Sequence, residues 1–94
     1  MTKPEARQII NGMGLPDAQT RAAQRTIRRA TNAEDLEVAL TGSGDLLIRR
    51  SRPGRVGRQV FEDLISPGGK KTVVQKAYDD AGNLVHYDPK GEPE

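Results

Sequence analysis

The sequence predicts an α+β fold, with N-terminal helices packed on a four- to five-stranded antiparallel meander sheet. Three observations lead there. First, residues 59–90, QVFEDLISPGGKKTVVQKAYDDAGNLVHYDPK, hold three apolar runs at Val60–Ile65, Thr72–Tyr78 and Leu84–Tyr87. These runs are rich in the β-branched and aromatic residues that suit strands. Second, Ser66-Pro67-Gly68-Gly69 and Asp80-Ala81-Gly82-Asn83 separate them, each with a Gly that a tight hairpin loop can use in the left-handed region. Third, residues 17–31, DAQTRAAQRTIRRAT, are dense in Ala and Arg, which are strong helix formers.

Taken in order, Pro4 opens a short helix of about two turns, which Asn11-Gly12 and Gly14 stop. Asp17 is the expected N-cap of the second helix, with Pro16 before it. That helix has a thin apolar line of Ala23, Ile27 and Ala30, while Arg21, Arg25, Arg28 and Arg29 cover its other side. Arg25 and Arg29 are surface neighbours, and Arg28 and Arg29 suit the negative end of the helix dipole. Leu36, Val38 and Leu40 alternate, as one face of a strand does. Thr41-Gly42-Ser43-Gly44-Asp45 is a turn, and Leu46–Arg50 is the next strand. Ser51–Arg58 reads as a Pro/Gly loop with Arg52, Arg55 and Arg58 at three-residue spacing. One domain is expected over 1–94, with a helical part at 1–31, the sheet at 36–88 and a flexible tail at 89–94.

Composition narrows the chemistry. The chain has no Cys, one His, one Phe and no Trp, so the core is aliphatic and thiol chemistry is excluded. One His and no dense carboxylate cluster give no expected metal site. No P-loop, dinucleotide fingerprint or nucleophile motif occurs, so no cofactor is expected. No apolar run approaches the ~20 residues of a membrane span. Net charge is only +2, but residues 21–58 carry nine Arg against four acidic residues, whereas 59–94 carry four Lys against seven. Arg presents a planar fork that matches phosphate, so this basic middle points to a phosphate-bearing partner as well as to a solvated surface.

The register of the meander follows from its turns. With three-residue loops ending in Gly, Leu64 faces Thr72, Glu62 faces Val74, Val60 faces Lys76 and Arg58 faces Tyr78. Across the second turn Tyr78 faces Leu84, Ala77 faces Val85 and Lys76 faces His86. Period-two alternation then puts Phe61, Ile65, Val73, Ala77, Val85, Gln59, Asp63, Gln75 and Tyr87 on one face, expected against the helices. Arg58, Glu62, Thr72, Lys76, Tyr78 and His86 share the other, above Val60, Leu64, Val74 and Leu84. A one-residue slip in the first turn would displace Glu62 and leave the Lys76–His86 pair intact. His86 is the only side chain in this stretch whose type titrates near neutral pH, so it is the candidate general acid or base. Lys76 would stabilise negative charge, and Glu62 is a possible second base. Equally, Lys76 and Glu62 suit a cross-strand ion pair.

At Ser51-Arg52-Pro53-Gly54-Arg55, Lys71–Asp79 and Gly82–Lys90, the chain resembles the C-terminal toxin modules of bacterial polymorphic toxins, of the contact-dependent inhibition and Rhs type. The likeness spans roughly residues 17–90 and is one of texture and element order. Many such modules are barnase/EndoU/colicin/RelE-like ribonucleases carried behind a larger delivery polypeptide. The resemblance implies a metal-independent endoribonuclease, with tRNA the expected target, neutralised by a cognate immunity protein and delivered into the target-cell cytoplasm. It also implies catalytic roles for His86, Lys76 and Glu62, and substrate binding by Arg52, Arg55, Arg58, Thr72 and Tyr78. The alternative is a nucleic-acid-binding or protein-interaction module without catalysis.

Overall fold

In the computed structural model, residues 1–30, 35–54 and 57–91 are described. Two helices, α1 (Lys3–Gly12) and α2 (Asp17–Arg29), precede five strands: β1 (Asp35–Leu40), β2 (Leu46–Pro53), β3 (Arg58–Ile65), β4 (Lys71–Tyr78) and β5 (Leu84–Gly91). The strands form one antiparallel sheet in the order β1-β2-β3-β4-β5, the expected meander.

Local chemistry accounts for the helix starts. Thr2 and Glu5 form a capping box: Thr2 Oγ1 accepts from the Glu5 amide at 3.2 Å, and a Glu5 carboxylate oxygen accepts from the Thr2 amide at 2.9 Å. The cap of α2 differs from expectation. Pro16 is the N-cap, Asp17 is the first helical residue, and no side chain caps the end. Proline's fixed φ and missing N–H suit this entry, and Asp17 still complements the dipole.

The core is small and aliphatic. Ala6 and Ile10 of α1 and Ala22, Ala23 and Ile27 of α2 meet Leu36, Leu46, Ile48 and Ile65 of the sheet. Ala side chains let the helices lie close, and they pack on β1, β2 and β3. Gln19 is fully buried, and its amide donates 2.9 Å hydrogen bonds to the carbonyls of Gly44 and Ile65, pinning α2 to one end of the sheet. Every residue of β4 is only half-buried, and in β5 Leu84–Tyr87 and Pro89 are exposed. Neither helix is long and apolar enough to cross a membrane.

The β1–β2, β3–β4 and β4–β5 hairpins share one turn chemistry. The amides of Thr41, Ser66 and Asp79 donate to the carbonyls of Asp45, Lys70 and Asn83 at 2.8–2.9 Å. Gly44, Gly69 and Gly82 close these loops with φ of +87°, +88° and +85°. The β3–β4 register follows as expected: Arg58 pairs with Tyr78, Val60 with Lys76, Glu62 with Val74 and Leu64 with Thr72.

Four expectations need correction. The Ser51–Arg58 stretch is not one loop: Ser51, Arg52 and Pro53 end β2, and Arg58 begins β3. The tail does not fray at residue 89, because β5 runs through Gly91. Pro89 is tolerated there because β5 is an edge strand and needs no amide on its outer side. Phe61 lies on the helix-side face but outside the core. It is half-buried beneath two guanidinium groups, with Arg50 at 4.9 Å and Arg52 at 5.8 Å from its ring centre. Finally, β5 carries a register shift between the partners of Tyr78 and Ala77.

Gly57 lies hard against the backbone of β4. Its φ is +76°, and a Cβ there would sit 1.9 Å from the Tyr78 carbonyl oxygen. Gly57→Ala combines left-handed strain with a clash against backbone, so a loss of about 2–3 kcal/mol is expected. Urea denaturation checks it; a loss below ~0.5 kcal/mol would mean the loop relaxes freely.

Candidate functional site

The face of the sheet away from the helices carries a ladder of charge. Arg49 donates to Glu62 Oε2 from Nε at 3.1 Å and from Nη2 at 2.7 Å. Lys76 Nζ lies 2.6 Å from Glu62 Oε1, and Glu37 approaches Arg49 at 3.5 Å. The ladder exists because these residues occupy successive strands on one face, with Glu37 opposite Arg49 and Arg49 opposite Glu62. Burial pushes the Glu62 carboxyl up, but hydrogen bonds from Lys76 and Arg49 outweigh it and hold the group below its ordinary value. The Lys76 ammonium is raised, chiefly by its hydrogen bond to Glu62. Both Glu62 oxygens therefore serve ion pairs, and a carboxylate held ionised in this way is a weak base.

A pH dependence follows. Because the folded pKa of Glu62 is depressed, its stabilisation is complete above the unfolded value of about 4.3 and is lost as pH falls through the folded value. Glu62→Gln should cost about 1 kcal/mol near neutral pH and flatten the decline of stability below pH ~4. Urea melts at a series of pH values test this; an unchanged acid limb would rule the ladder out as its source.

Thr72 and Tyr78 lie on this same face, as expected. Thr72 borders a 140 Å³ hollow with Asp45, Leu64, Ser66 and Lys70. Tyr78 and Arg58 border a larger one of 460 Å³ with Gly57, Val60, Asp79 and Asp80. Arg58 is already engaged, donating to Asp35 Oδ2 at 3.0 Å and Ser51 Oγ at 2.9 Å.

His86 is elsewhere. Tyr78 pairs with Leu84 as expected, but Ala77 then pairs with His86, and Lys76 with Tyr87. The extra residue, Val85, is a β-bulge, a device that re-aims side chains and disrupts an exposed edge. Residues directly opposite each other share a face, so the bulge transfers His86 to the helix side and Tyr87 to the ladder side. The expected Lys76–His86 pair does not form, and Glu62 and His86 are on opposite faces. The outcome reverses the anticipated risk: the β3–β4 turn keeps its register and Glu62 its place, while the β4–β5 pairing shifts.

Arg52 joins His86 rather than Arg58. It lies on the helix side, with Nε and Nη2 donating to Gln59 Oε1 at 3.3 and 3.2 Å. The three-residue spacing of the Arg residues therefore does not create one clamp. Arg55 lies outside the described residues. One cross-sheet row reads Arg52, Gln59, Ala77, His86, and the next Arg50, Phe61, Gln75, Asp88. His86 is exposed and Asp88 half-buried, in the part of this face beyond the strands on which the helices pack. An imidazole and a carboxylate two residues apart on one face of β5 are separated by about 6.5–7 Å along the strand. Guanidinium groups stand across the sheet from them. The imidazole and carboxylate can transfer protons, while the guanidinium groups, three strand spacings or about 14 Å away, add positive potential to the face. Asp88 was missed as a site residue because it is the last position of the expected sheet, and only its pairing with Gln75 puts it on the face of His86.

No family model, curated protein or solved structure matches this chain.

Proposed function

We propose that the protein is a toxin-type, metal-independent endoribonuclease acting on the helix-side face of its sheet, with tRNA its expected substrate. The observation that carries this reading is that the only imidazole of the chain is exposed on the same open face as Asp88 and Arg52. RNA supplies its own nucleophile, which DNA lacks. The Asp88 carboxylate accepts the proton of a 2′-OH as that oxygen attacks the adjacent phosphorus. The P–O5′ bond breaks, and the His86 imidazolium gives its proton to the departing 5′-oxygen. The products are a 2′,3′-cyclic phosphate and a 5′-OH. Arg52, three strands across the same face, adds positive potential along the path of the RNA backbone. Glu62 and Lys76 hold the sheet together in this scheme, and Thr72 and Tyr78 belong to the opposite surface.

Such a module is delivered as part of a larger polypeptide and neutralised by a cognate immunity protein. An acidic partner surface would suit the basic residues and speed association.

A second reading is RNA binding without cleavage. It is favoured by the engagement of Glu62, which removes one expected base. Incubation with total tRNA and ribosomal RNA in EDTA separates the two. Discrete fragments ending in cyclic phosphate support the enzyme. Intact RNA with retained, salt-sensitive binding supports the binder.

A further inference from the structure

A second cluster of cations lies away from His86. Arg25 and Arg29, one turn apart on α2, line a hollow of about 280 Å³ with Lys70 and Lys71 of the β3–β4 hairpin. Its remaining wall includes Thr26 and Gly69, and among the described residues no carboxylate borders it.

The fold brings these groups together by a close backbone contact. Gly69 has φ +88°, and a Cβ there would sit 2.8 Å from the Ala18 carbonyl oxygen. Only glycine permits both, so the turn is pressed against α2 and brings Lys71 beside the helix, with Lys70 at the rim of the hollow. Lys71 Nζ reaches Thr26 Oγ1 at 3.5 Å across the gap. Arg25 and Arg29 are exposed, and among the described residues neither side chain makes an ion pair or hydrogen bond. Helix-dipole compensation explains a cation at Arg29, in the last turn. It explains neither Arg25 in the middle of the helix nor Lys71 reaching toward it from the helix-side face of β4. Convergent like charges repel unless an anion lies between them, and guanidinium forks with ammonium point charges are what a phosphate accepts best.

We infer that this hollow is a phosphate-binding site that holds the backbone of the RNA strand whose cleavage is assigned to His86. The identity of the strand rests on the ribonuclease reading; the phosphate chemistry does not. Lys71 and Ala77 lie on the same face of β4, six residues or about 20 Å apart, and Ala77 pairs with His86. The helix-side face of β4 thus connects the hollow to the imidazole. The hollow anchors the substrate at a distance from the scissile bond.

The test uses the whole protein and a labelled 2′-O-methyl oligoribonucleotide, which lacks the attacking hydroxyl, so binding is read without cleavage. Wild type is compared with Arg25→Gln/Arg29→Gln and with Arg21→Gln/Arg28→Gln. The second pair removes the same charge, including one from the last helical turn, but lies outside the hollow. Loss of the hollow's guanidiniums should weaken binding at least tenfold at low salt. It should also flatten the dependence of log K on log salt by about 1.4, the value for two phosphate contacts to a single strand. The control pair should change affinity less than threefold. Equal weakening by both pairs, or none by the first, overturns the inference. Inorganic phosphate should displace the strand more strongly than chloride at matched ionic strength, and equal displacement would count against a phosphate site. If phosphate competes but the first pair binds RNA as wild type does, the occupant is free phosphate and the strand assignment fails. Pair-dependent binding without any cleavage by wild type would retain the hollow and reject the ribonuclease reading. Cleavage with binding indifferent to both pairs would do the reverse.

Discussion

Arg50→Met is expected to destabilise the fold by about 3–5 kcal/mol, the usual consequence of leaving a buried charge without its partner. Asp63 is fully buried on the helix side of β3, and Arg50 grips it from β2 through Nε at 2.7 Å and Nη2 at 3.3 Å. The guanidinium also lies over Phe61. Met fills much of the Arg stem's volume but leaves the carboxylate in an apolar site. For a 94-residue domain with a small aliphatic core, that loss is a large part of a total stability near 5–10 kcal/mol. Urea denaturation should show a lower midpoint at unchanged slope. The double variant Arg50→Met/Asp63→Leu should recover most of the loss, because an apolar pair can replace a buried ion pair at little cost. A single-variant loss below about 1 kcal/mol would mean that Asp63 finds another donor.

His86→Ala is expected to lower RNA cleavage by about 10²–10⁴-fold, the range that a positioned acid or base contributes. The residue is exposed on the edge strand, so stability should hardly move. Asp88→Asn should reduce cleavage in the same range. Glu62→Gln and Lys76→Ala should leave it near wild type once corrected for folded protein, because both residues lie on the opposite face. Loss of cleavage in those two with retention in His86→Ala would return the chemistry to the ladder side. Equal cleavage by all four variants would place the site on neither.

These predictions depend on features with very different legibility. The 3.6-residue pattern of α2 and the alternation of Leu36, Val38 and Leu40 were readable, because periodicity is a local property. The turns at Ser66–Gly69 and Asp80–Asn83 were readable for the same reason, and their glycine positions set the β3–β4 register residue by residue. The cation ladder was half visible: the Lys76–Glu62 ion pair was one open alternative, whereas Arg49 as its third member was not anticipated. The bulge at Val85 was not readable, since Val85 suits a regular strand as well as an irregular one. It alone separates His86 from Lys76. Arg52 and Arg58 looked like members of one loop until strand ends gave them opposite faces.

By itself, then, the sequence determined the element order, the antiparallel meander and the turn chemistry, all of which depend on residues within a few positions of one another. Only the tertiary structure decided which charged groups meet. Arg50 with Asp63, Arg25 with Lys71 and His86 with Asp88 on the open face depend on strand pairing, on one extra residue in an edge strand and on how closely a glycine turn approaches a helix. One residue of register moves a side chain to the other face of a sheet, so a local pattern that predicts the fold leaves the placement of charged groups undetermined.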